Sequence, residues 1–323
     1  MCTSISFLTK DHYFGRTLDL EYSYDEKVVI TPREYAFDFR YQKPINNHFA
    51  MIGMATVVDD YPLYYEATNE KGLSMAGLNF PDKTVYKDFD HQKNNICPFE
   101  LIPWVLSKCE SVEESKELLY NTNIISADFN NDFKSTPLHW MISDRDSSIT
   151  VECVDDGLKI YYNPVSVLTN NPEFPTQVFN LNNYMSLTRE EPETRFAEGF
   201  DFNKYSKGMG ALGLPGDNSS MSSFIRAAFT SLNSVCGKSE NESISQFFHI
   251  LGTVSQTRGT VRAGNGFVTT IYTSCCNTDK GIYYYTTYEN NQITAVNMYN
   301  ENLDTSELLI YNLESEQQIN YQN

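Results

Sequence analysis

Basic residues and long apolar runs are what this sequence lacks. Its 323 residues include 24 Lys and Arg against 42 Asp and Glu, for a formal net charge of −18. Nucleic-acid binding depends on neutralising phosphates with clustered Lys and Arg, so this deficit argues against a nucleic-acid partner. There is no apolar run of the roughly 18 residues that a membrane span needs, and no basic segment followed by an apolar one at the N-terminus. The sequence therefore predicts neither a membrane span nor a signal peptide, and it favours a cytoplasmic protein.

Cysteine and histidine are present, but without the spacing of a metal site. The seven cysteines are an odd number, and none stands in a Cys-x-x-Cys pair. We expect reduced, mostly buried thiols and no metal or other cofactor. His139 precedes Trp140 in an apolar run, where a hydrogen-bonded core histidine is expected rather than a catalytic base.

Apolar and alternating runs at both ends of the chain predict β-strands, and the middle predicts helices and further strands. The strands are expected at residues 3–9, 27–31, 49–58, 72–78, 137–142, 148–154, 267–274, 281–288, 292–298 and 306–311. Turn signals at 155–157 and 289–291 favour antiparallel hairpins. Residues 312–323 are expected to form a terminal strand or a tail.

Three segments predict helices. Two carry capping-box spacing, Ser111-x-x-Glu114 and Ser243-x-x-Gln246. The third covers residues 220–235, where an apolar face includes Leu232. Strands at both ends, without regular strand and helix alternation, favour an α+β fold with antiparallel sheets. We expect one domain over residues 1–323.

Cys2 directly follows the initiator methionine. Removal of Met1 would leave one residue with both a thiol and a free α-amine, so the residue could act as nucleophile and general base. The two groups have ordinary pKa values of about 8.5 and 7.7–8.0, which allows the amine to take the thiol proton near neutral pH. A cysteine at position 2 can also occur by chance. Whether Cys2 is catalytic therefore depends on which other residues the chain supplies.

Other polar residues could complete such a site. Arg16 and Asp19 follow the first strand after a short turn and could fold back beside Cys2, although an ordinary surface pair is the alternative. Asp19 would anchor the amine, and Arg16 would favour the thiolate or hold an anion. Asn79 and Asn170 follow strands and could donate hydrogen bonds to an oxyanion. Asn170 stands just before Asn171-Pro172, however, and asparagine is equally common at such a position because it forms turns.

Taken in order, these segments resemble the choloylglycine hydrolase family, which contains bile salt hydrolases and penicillin V acylases and belongs to the N-terminal nucleophile hydrolases. The similarity is strongest to bile salt hydrolases of Gram-positive gut bacteria. It covers essentially the whole chain through residues 1–3, 11–16, 30–33, 69–73, 76–80, 138–140, 168–172, 214–217, 281–285 and 301–303.

The resemblance implies a four-layer αββα sandwich, usually assembled as a homotetramer. It implies Cys2 as the nucleophile, flanked by Arg16 and Asp19, with Asn79 and Asn170 forming the oxyanion hole. It also implies an apolar slot for a steroid, lined by Leu18, Val58 and Tyr65. Asparagine at position 79 favours bile salts, because penicillin-preferring relatives tend to carry an aromatic residue there.

One position departs from the family pattern. The family has an active-site arginine in a Ser-Arg-Phe segment, whereas this chain has Ser222-Ser223-Phe224. Arg226 lies one turn further on, but many relatives carry both arginines, so Arg226 is its own counterpart.

The sequence therefore predicts a hydrolase of glycine- or taurine-conjugated bile salts. The alternatives are a penicillin V acylase and a weakened homologue that binds bile acids, because Ser223 replaces the expected arginine.

Overall fold

Two antiparallel sheets form the centre of the fold. The computed structural model describes residues 2–323. The strands are β1 Cys2–Leu8, β2 His12–Leu20, β3 Lys27–Thr31, β4 Met51–Val58, β5 Tyr61–Asn69, β6 Ser74–Asn79, β7 Asn94–Ile96, β8 Thr122–Ile124, β9 Leu138–Ser143, β10 Ser148–Val154, β11 Gly157–Tyr162, β12 Val167–Leu168, β13 Arg262–Ala263, β14 Gly266–Phe267, β15 Thr269–Asn277, β16 Ile282–Thr287, β17 Thr294–Asn297 and β18 Leu309–Asn312. The six-stranded sheet has the order β12-β1-β2-β15-β16-β17, and the eight-stranded sheet has the order β11-β10-β9-β6-β5-β4-β3-β18.

Helices cover the outer faces of the two sheets. The α-helices are α1 Leu101–Leu106, α2 Val112–Tyr120, α3 Phe174–Asn180, α4 Ser220–Asn233 and α5 Glu240–Gly252. Helices α4 and α5 pack on the six-stranded sheet, and α1 packs on the eight-stranded sheet. One apolar cluster joins the two sheets to each other and to α4 and α5, and the other joins the eight-stranded sheet to α1 and α2. This order of layers confirms the expected αββα sandwich.

All ten predicted strands lie within a few residues of observed strands, but the apolar patterns did not predict β2 or β5. Residues 27–31 and 148–154 have the predicted bounds, and the β10–β11 hairpin turns at the predicted 155–157 signal. The C-terminal strand lies at Leu309–Asn312 rather than 306–311, and the residues after it belong to no helix or strand. All seven cysteines are free, and six of them are buried, as expected.

Two helix predictions need correction. The helix expected to begin at Ser243 begins at Glu240, because Ser239 caps it and Glu242 completes the capping box. Ser243 is instead buried within the helix and donates back to the Ser239 carbonyl at 3.0 Å. Leu232, expected on the apolar face of α4, is 64% exposed because it lies near the helix end, where it lines a surface groove. The Ser111 cap of α2 is confirmed by its bond from the Glu114 backbone nitrogen.

Candidate active site

A mostly apolar cavity of about 540 Å³ opens beside Cys2. It lies between the ends of the central strands and the segment 129–138, and its wall includes Arg16 and Asn79. Its apolar and aromatic lining includes Leu18, Leu20, Leu63, Tyr65, Phe99, Ile102, Phe129, Phe133 and Leu138. A cavity of this kind, with a few polar groups at one place, suits a largely apolar ligand that is held at a single polar linkage.

Cys2 is the first residue of β1 and is buried. Its backbone nitrogen donates to Asn170 Oδ1 at 2.6 Å, and Asn170 is 168 residues away in the sequence. The backbone N–H of Asn170 donates to Ser220 Oγ at 2.8 Å, so the first turn of α4 holds this contact in place. The nucleophile candidate is thus fixed by its nitrogen, while the residue itself lines the cavity.

Arg16 lies on the same face of the sheet as Cys2. Cys2 pairs with Leu18 across the β1–β2 hairpin, and Arg16 is two residues before Leu18, which makes Cys2 and Arg16 diagonal neighbours. The hairpin folds Arg16 back beside Cys2 as the sequence suggested. The Arg16 guanidinium donates to the carbonyls of Gly77 at 2.5 Å, Thr17 at 3.1 Å and Tyr65 at 3.3 Å. Burial alone would lower the pKa of Arg16, but nearby Cys2 and other anionic groups raise it overall, so the guanidinium is a fixed positive charge.

Asp19 lies in the same strand and is fully buried. Its carboxylate accepts hydrogen bonds from Thr270 Oγ1 at 2.6 Å and Thr17 Oγ1 at 3.2 Å. Thr17 Oγ1 in turn accepts from the Thr3 backbone nitrogen at 3.2 Å. Burial raises the pKa of Asp19 to about 6, although these hydrogen bonds and Arg16 oppose the rise. Thr17 therefore links Asp19 to the N-terminal strand that carries Cys2.

Asn79 and Asn170 meet at the cavity edge. Asn79 ends β6, lines the cavity and is exposed to it, and its carbonyl accepts from Asn170 Nδ2 at 2.6 Å. The Asn170 carboxamide therefore uses its oxygen on Cys2 and one Nδ2 hydrogen on Asn79. An amide nitrogen has two hydrogens, so one remains for a developing oxyanion. The structure brings Cys2, Arg16, Asn79 and Asn170 into one site.

Two of the three expected slot residues line this cavity. Leu18 and Tyr65 are in its wall, and the Tyr65 hydroxyl forms a 2.9 Å hydrogen bond with Thr56 Oγ1. Val58 is not part of the wall, because it ends β4 two residues beyond Thr56, which is the last residue of that strand to reach the cavity.

Ser223 and Arg226 lie outside the cavity wall. Ser223 is buried in α4, and its hydroxyl accepts from Arg226 Nη2 at 3.3 Å. The Arg226 guanidinium also donates to the carbonyls of Pro215 at 3.0 Å, Asp217 at 2.5 Å and Thr253 at 3.0 Å. Arg226 thus joins α4 to the preceding loop and to the end of α5.

Sequence reasoning missed Glu66, a fully buried carboxylate in β5 that faces Arg16 from the opposite sheet. An acidic residue inside a strand-like aromatic run was the available signal. His139, as expected, is a buried core residue, hydrogen-bonded to Glu152 at 3.1 Å and to the Thr169 carbonyl at 2.7 Å. Within residues 2–323, no cluster of His, Cys, Asp and Glu could hold a metal ion, and no helix is long and apolar enough to cross a membrane.

Comparisons with known proteins agree with this geometry. The family described as linear amide C–N hydrolases, choloylglycine hydrolase family, matches residues 2–311. The chain is 52% identical over 319 residues to the bile salt hydrolase/transferase of Lactiplantibacillus plantarum, with 98% of each chain covered. It is 41% identical over 332 residues to the bile salt hydrolase/transferase of Clostridium perfringens, with 100% of each chain covered.

Solved structures give the same result. A mutant of the conjugated bile acid hydrolase from Clostridium perfringens matches with a TM-score of 0.92 and 40% identity over 100% of both chains. Penicillin V acylase from Agrobacterium tumefaciens matches with a TM-score of 0.76 over 97% of this chain and 92% of its own, at 20% identity. The second likeness shows the shared fold alone.

Proposed function

Because the chain belongs to the choloylglycine hydrolase family of linear amide C–N hydrolases, we propose that it cleaves the amide bond of glycine- or taurine-conjugated bile salts. The observation that carries this proposal is the position of Cys2 at an apolar cavity, with its nitrogen bound to Asn170. The cavity suits a steroid, and the polar end suits the amide. The names of the relatives at 52% and 41% identity support the same substrate class.

The proposed reaction begins after Met1 is removed. The α-amine of Cys2 takes the thiol proton, and the thiolate attacks the amide carbon. Asn79 and Asn170 donate hydrogen bonds to the oxyanion that forms, and Arg16 favours the thiolate. The C–N bond breaks, the departing glycine or taurine nitrogen takes the proton from the α-amine, and a thioester remains on Cys2. Water then attacks the thioester, which releases the bile acid and restores the thiol.

Two alternatives stay open to experiment. A penicillin V acylase would use the same fold and nucleophile, but asparagine at position 79 favours bile salts by family resemblance. A weakened homologue would bind conjugated bile salts without turning them over, because Ser223 stands where the family has an arginine.

We also propose that the chain forms one domain and assembles as a cytoplasmic homotetramer. The family resemblance is the basis for the tetramer. Support comes from exposed apolar side chains in the segment between α3 and α4, which suit burial against other copies: Met185, Phe196, Phe200, Phe202 and Tyr205. Light scattering of the purified protein measures the number of copies directly.

Release of free glycine or taurine, detected with ninhydrin, tests the proposed activity. We expect the protein to release the amino acid from glycine conjugates, taurine conjugates or both, and to hydrolyse little penicillin V. Cys2→Ala should release neither glycine nor taurine. Preferential penicillin V hydrolysis would make the protein an acylase. Binding of conjugates without any release would identify a weakened homologue.

A further inference from the structure

A buried ion pair crosses between the two sheets behind Cys2. Arg16 lies on β2 of the six-stranded sheet, and Glu66 lies on β5 of the eight-stranded sheet, with Arg16 Nε 3.9 Å from Glu66 Oε2. Both side chains are almost completely buried, with exposed fractions of 1% and 2%. Charges in such a place interact strongly, because little water is available to screen them.

Glu66 is held by three hydroxyl groups from the six-stranded sheet. Tyr272 donates to Glu66 Oε2 at 2.7 Å, and Tyr283 and Ser274 donate to Oε1 at 2.5 and 2.9 Å. Hydroxyl donors and a neighbouring cation both favour an ionised carboxylate, whereas burial raises the pKa of Glu66. A neutral acid would not need three donors directed at it, so we take the carboxylate as the working form.

A second connection runs through Ser274. The backbone N–H of Arg16 donates to Ser274 Oγ at 3.1 Å, and Ser274 Oγ donates to Glu66. Glu66 is therefore linked to Arg16 through its charge and through a hydrogen-bonded serine. The guanidinium hydrogen bonds of Arg16 go to three carbonyls, which hold its geometry without Glu66.

Several titratable or charged groups face the two members of this ion pair. Glu66 is faced by Arg16, the hydroxyls of Tyr272, Tyr283 and Ser274, and the thiol of Cys276. Arg16 is faced by Cys2, Tyr272, Glu66 and Asp19. The Arg16 guanidinium thus lies close to two carboxyl groups and to the nucleophile. A negative charge on Glu66 therefore weakens the electrostatic stabilisation that Arg16 gives to a thiolate at Cys2.

We propose that Glu66 is a positioning residue that acts on Cys2 through Arg16, because its carboxylate compensates the guanidinium charge and so sets how strongly Arg16 favours the thiolate. The inference rests on the proposed function only in taking Cys2 as the nucleophile. It predicts that removing the Glu66 charge makes the Cys2 thiol more acidic, while shortening the side chain with its charge retained does not.

The direct readout is alkylation of Cys2 by iodoacetamide as a function of pH, followed by mass spectrometry of the N-terminal peptide. The rate follows the thiolate fraction and needs no bile salt. Glu66→Gln should lower the midpoint of the rate profile by about 0.5–1 pH unit, the low end of what one nearby charge does to a pKa. Glu66→Asp should stay close to the parent midpoint.

Two more variants complete the design. Tyr283→Phe removes one donor to Glu66, which makes the carboxylate easier to protonate and should give a smaller shift in the same direction. Glu240→Gln is the matched control, because Glu240 also accepts from a tyrosine of β16, Tyr284 at 3.0 Å, but is not among the charged groups that face Arg16. Its midpoint should equal that of the parent.

An unchanged midpoint in Glu66→Gln, or an equal shift in Glu66→Asp, would overturn the proposal and leave Glu66 a purely structural residue. If Glu66→Gln does not fold, as judged by circular dichroism, an unchanged midpoint in Tyr283→Phe would overturn the proposal instead. The alkylation result is separate from the substrate question. A protein that releases no glycine or taurine but shows the expected shifts would count against the proposed activity and for the role of Glu66.

Discussion

Asn170 Oδ1 lies 2.6 Å from the backbone nitrogen of Cys2 and accepts its hydrogen bond. In a chain that begins with Met1, this nitrogen belongs to a peptide bond and has no basic lone pair. After Met1 is removed it becomes an amine, and the same hydrogen bond to Asn170 can orient it so that the lone pair is available to the thiol. A contact that first fixes the strand would then orient the general base.

Asn170→Ala tests the second role of this side chain, donation to the oxyanion. The substitution removes the Nδ2 donor with its contact to Asn79 and also the Oδ1 contact to Cys2, so turnover should fall by at least about 10²–10³, the usual effect of one lost oxyanion donor. The substrate KM should change much less, because the donor acts in the transition state. Steady-state kinetics with conjugated bile salts measures both. Near-normal turnover would remove Asn170 from the oxyanion hole.

Ser223→Arg should restore the charge that the family has at this position. A cation near a thiolate stabilises the charged form, so we expect faster turnover of conjugated bile salts and an acidic limb of the pH profile displaced to lower pH. Arg226→Ala should instead lower thermal stability, because Arg226 is bound to three carbonyls away from the cavity wall. A neutral Ser223→Arg together with a folded, nearly inactive Arg226→Ala would show that Arg226 has taken over the role.

How far the sequence predicted the site depended on the distance between partners along the chain. Arg16 and Asp19 follow Cys2 in one hairpin, so a short turn was enough to place them beside β1. Glu66 could not be found in this way, because its hydroxyl donors on β15 and β16 are 206, 208 and 217 residues away in the sequence. Its place in a strand-like aromatic run was a local signal, but its role depends on burial between two sheets, which that signal does not report.

The wrong start predicted for α5 has a local cause. Ser239-x-x-Glu242 and Ser243-x-x-Gln246 both have capping-box spacing, but only the first forms the box and begins the helix, because Ser239 and Glu242 satisfy each other's backbone groups. Val58 was expected from family position; it ends β4 and does not line the cavity, and its contact with a substrate stays a prediction. Ten strands were predicted because each is a short apolar run of the kind that forms a buried strand, whereas β2 and β5 carry charged or polar residues and were missed.

His12 should contribute a loss of stability in mild acid. This buried side chain is hydrogen-bonded to Ser6 Oγ and Thr278 Oγ1, both at 2.8 Å, and burial lowers its pKa to about 4. Between an ordinary pKa near 6.5 and about 4, the unfolded chain binds a proton that the folded chain does not, so the free energy of unfolding decreases as pH falls through that window.

The effect of His12 amounts to at most about 3 kcal/mol. His12→Gln should flatten the loss between pH 6.5 and 4 in urea unfolding, while the exposed His249→Gln should leave it as in the parent. An equally steep loss in His12→Gln would assign the pH dependence to other groups.

Gly15→Ala should destabilise the sheet that carries Arg16. A Cβ atom at Gly15 would lie 2.1 Å from the Ser274 carbonyl oxygen on β15, and backbone atoms cannot move aside easily. The melting temperature should fall, with a destabilisation of about 1–3 kcal/mol or more. Gly252→Ala is the control, since a Cβ there has open space within 4 Å and should leave stability unchanged or raised. Equal melting temperatures for the two variants would contradict the tight β2–β15 contact.

The N-terminal cysteine mechanism is tested by the intact mass of the active protein, measured alone and after rapid acid quenching during turnover of a conjugated bile salt. We expect a resting mass that lacks Met1 and a second species heavier by one bile acyl group, which peptide mapping places on Cys2 and which Cys2→Ser does not form. An active protein that retains Met1, or an acyl group on any other residue, would contradict the N-terminal cysteine mechanism.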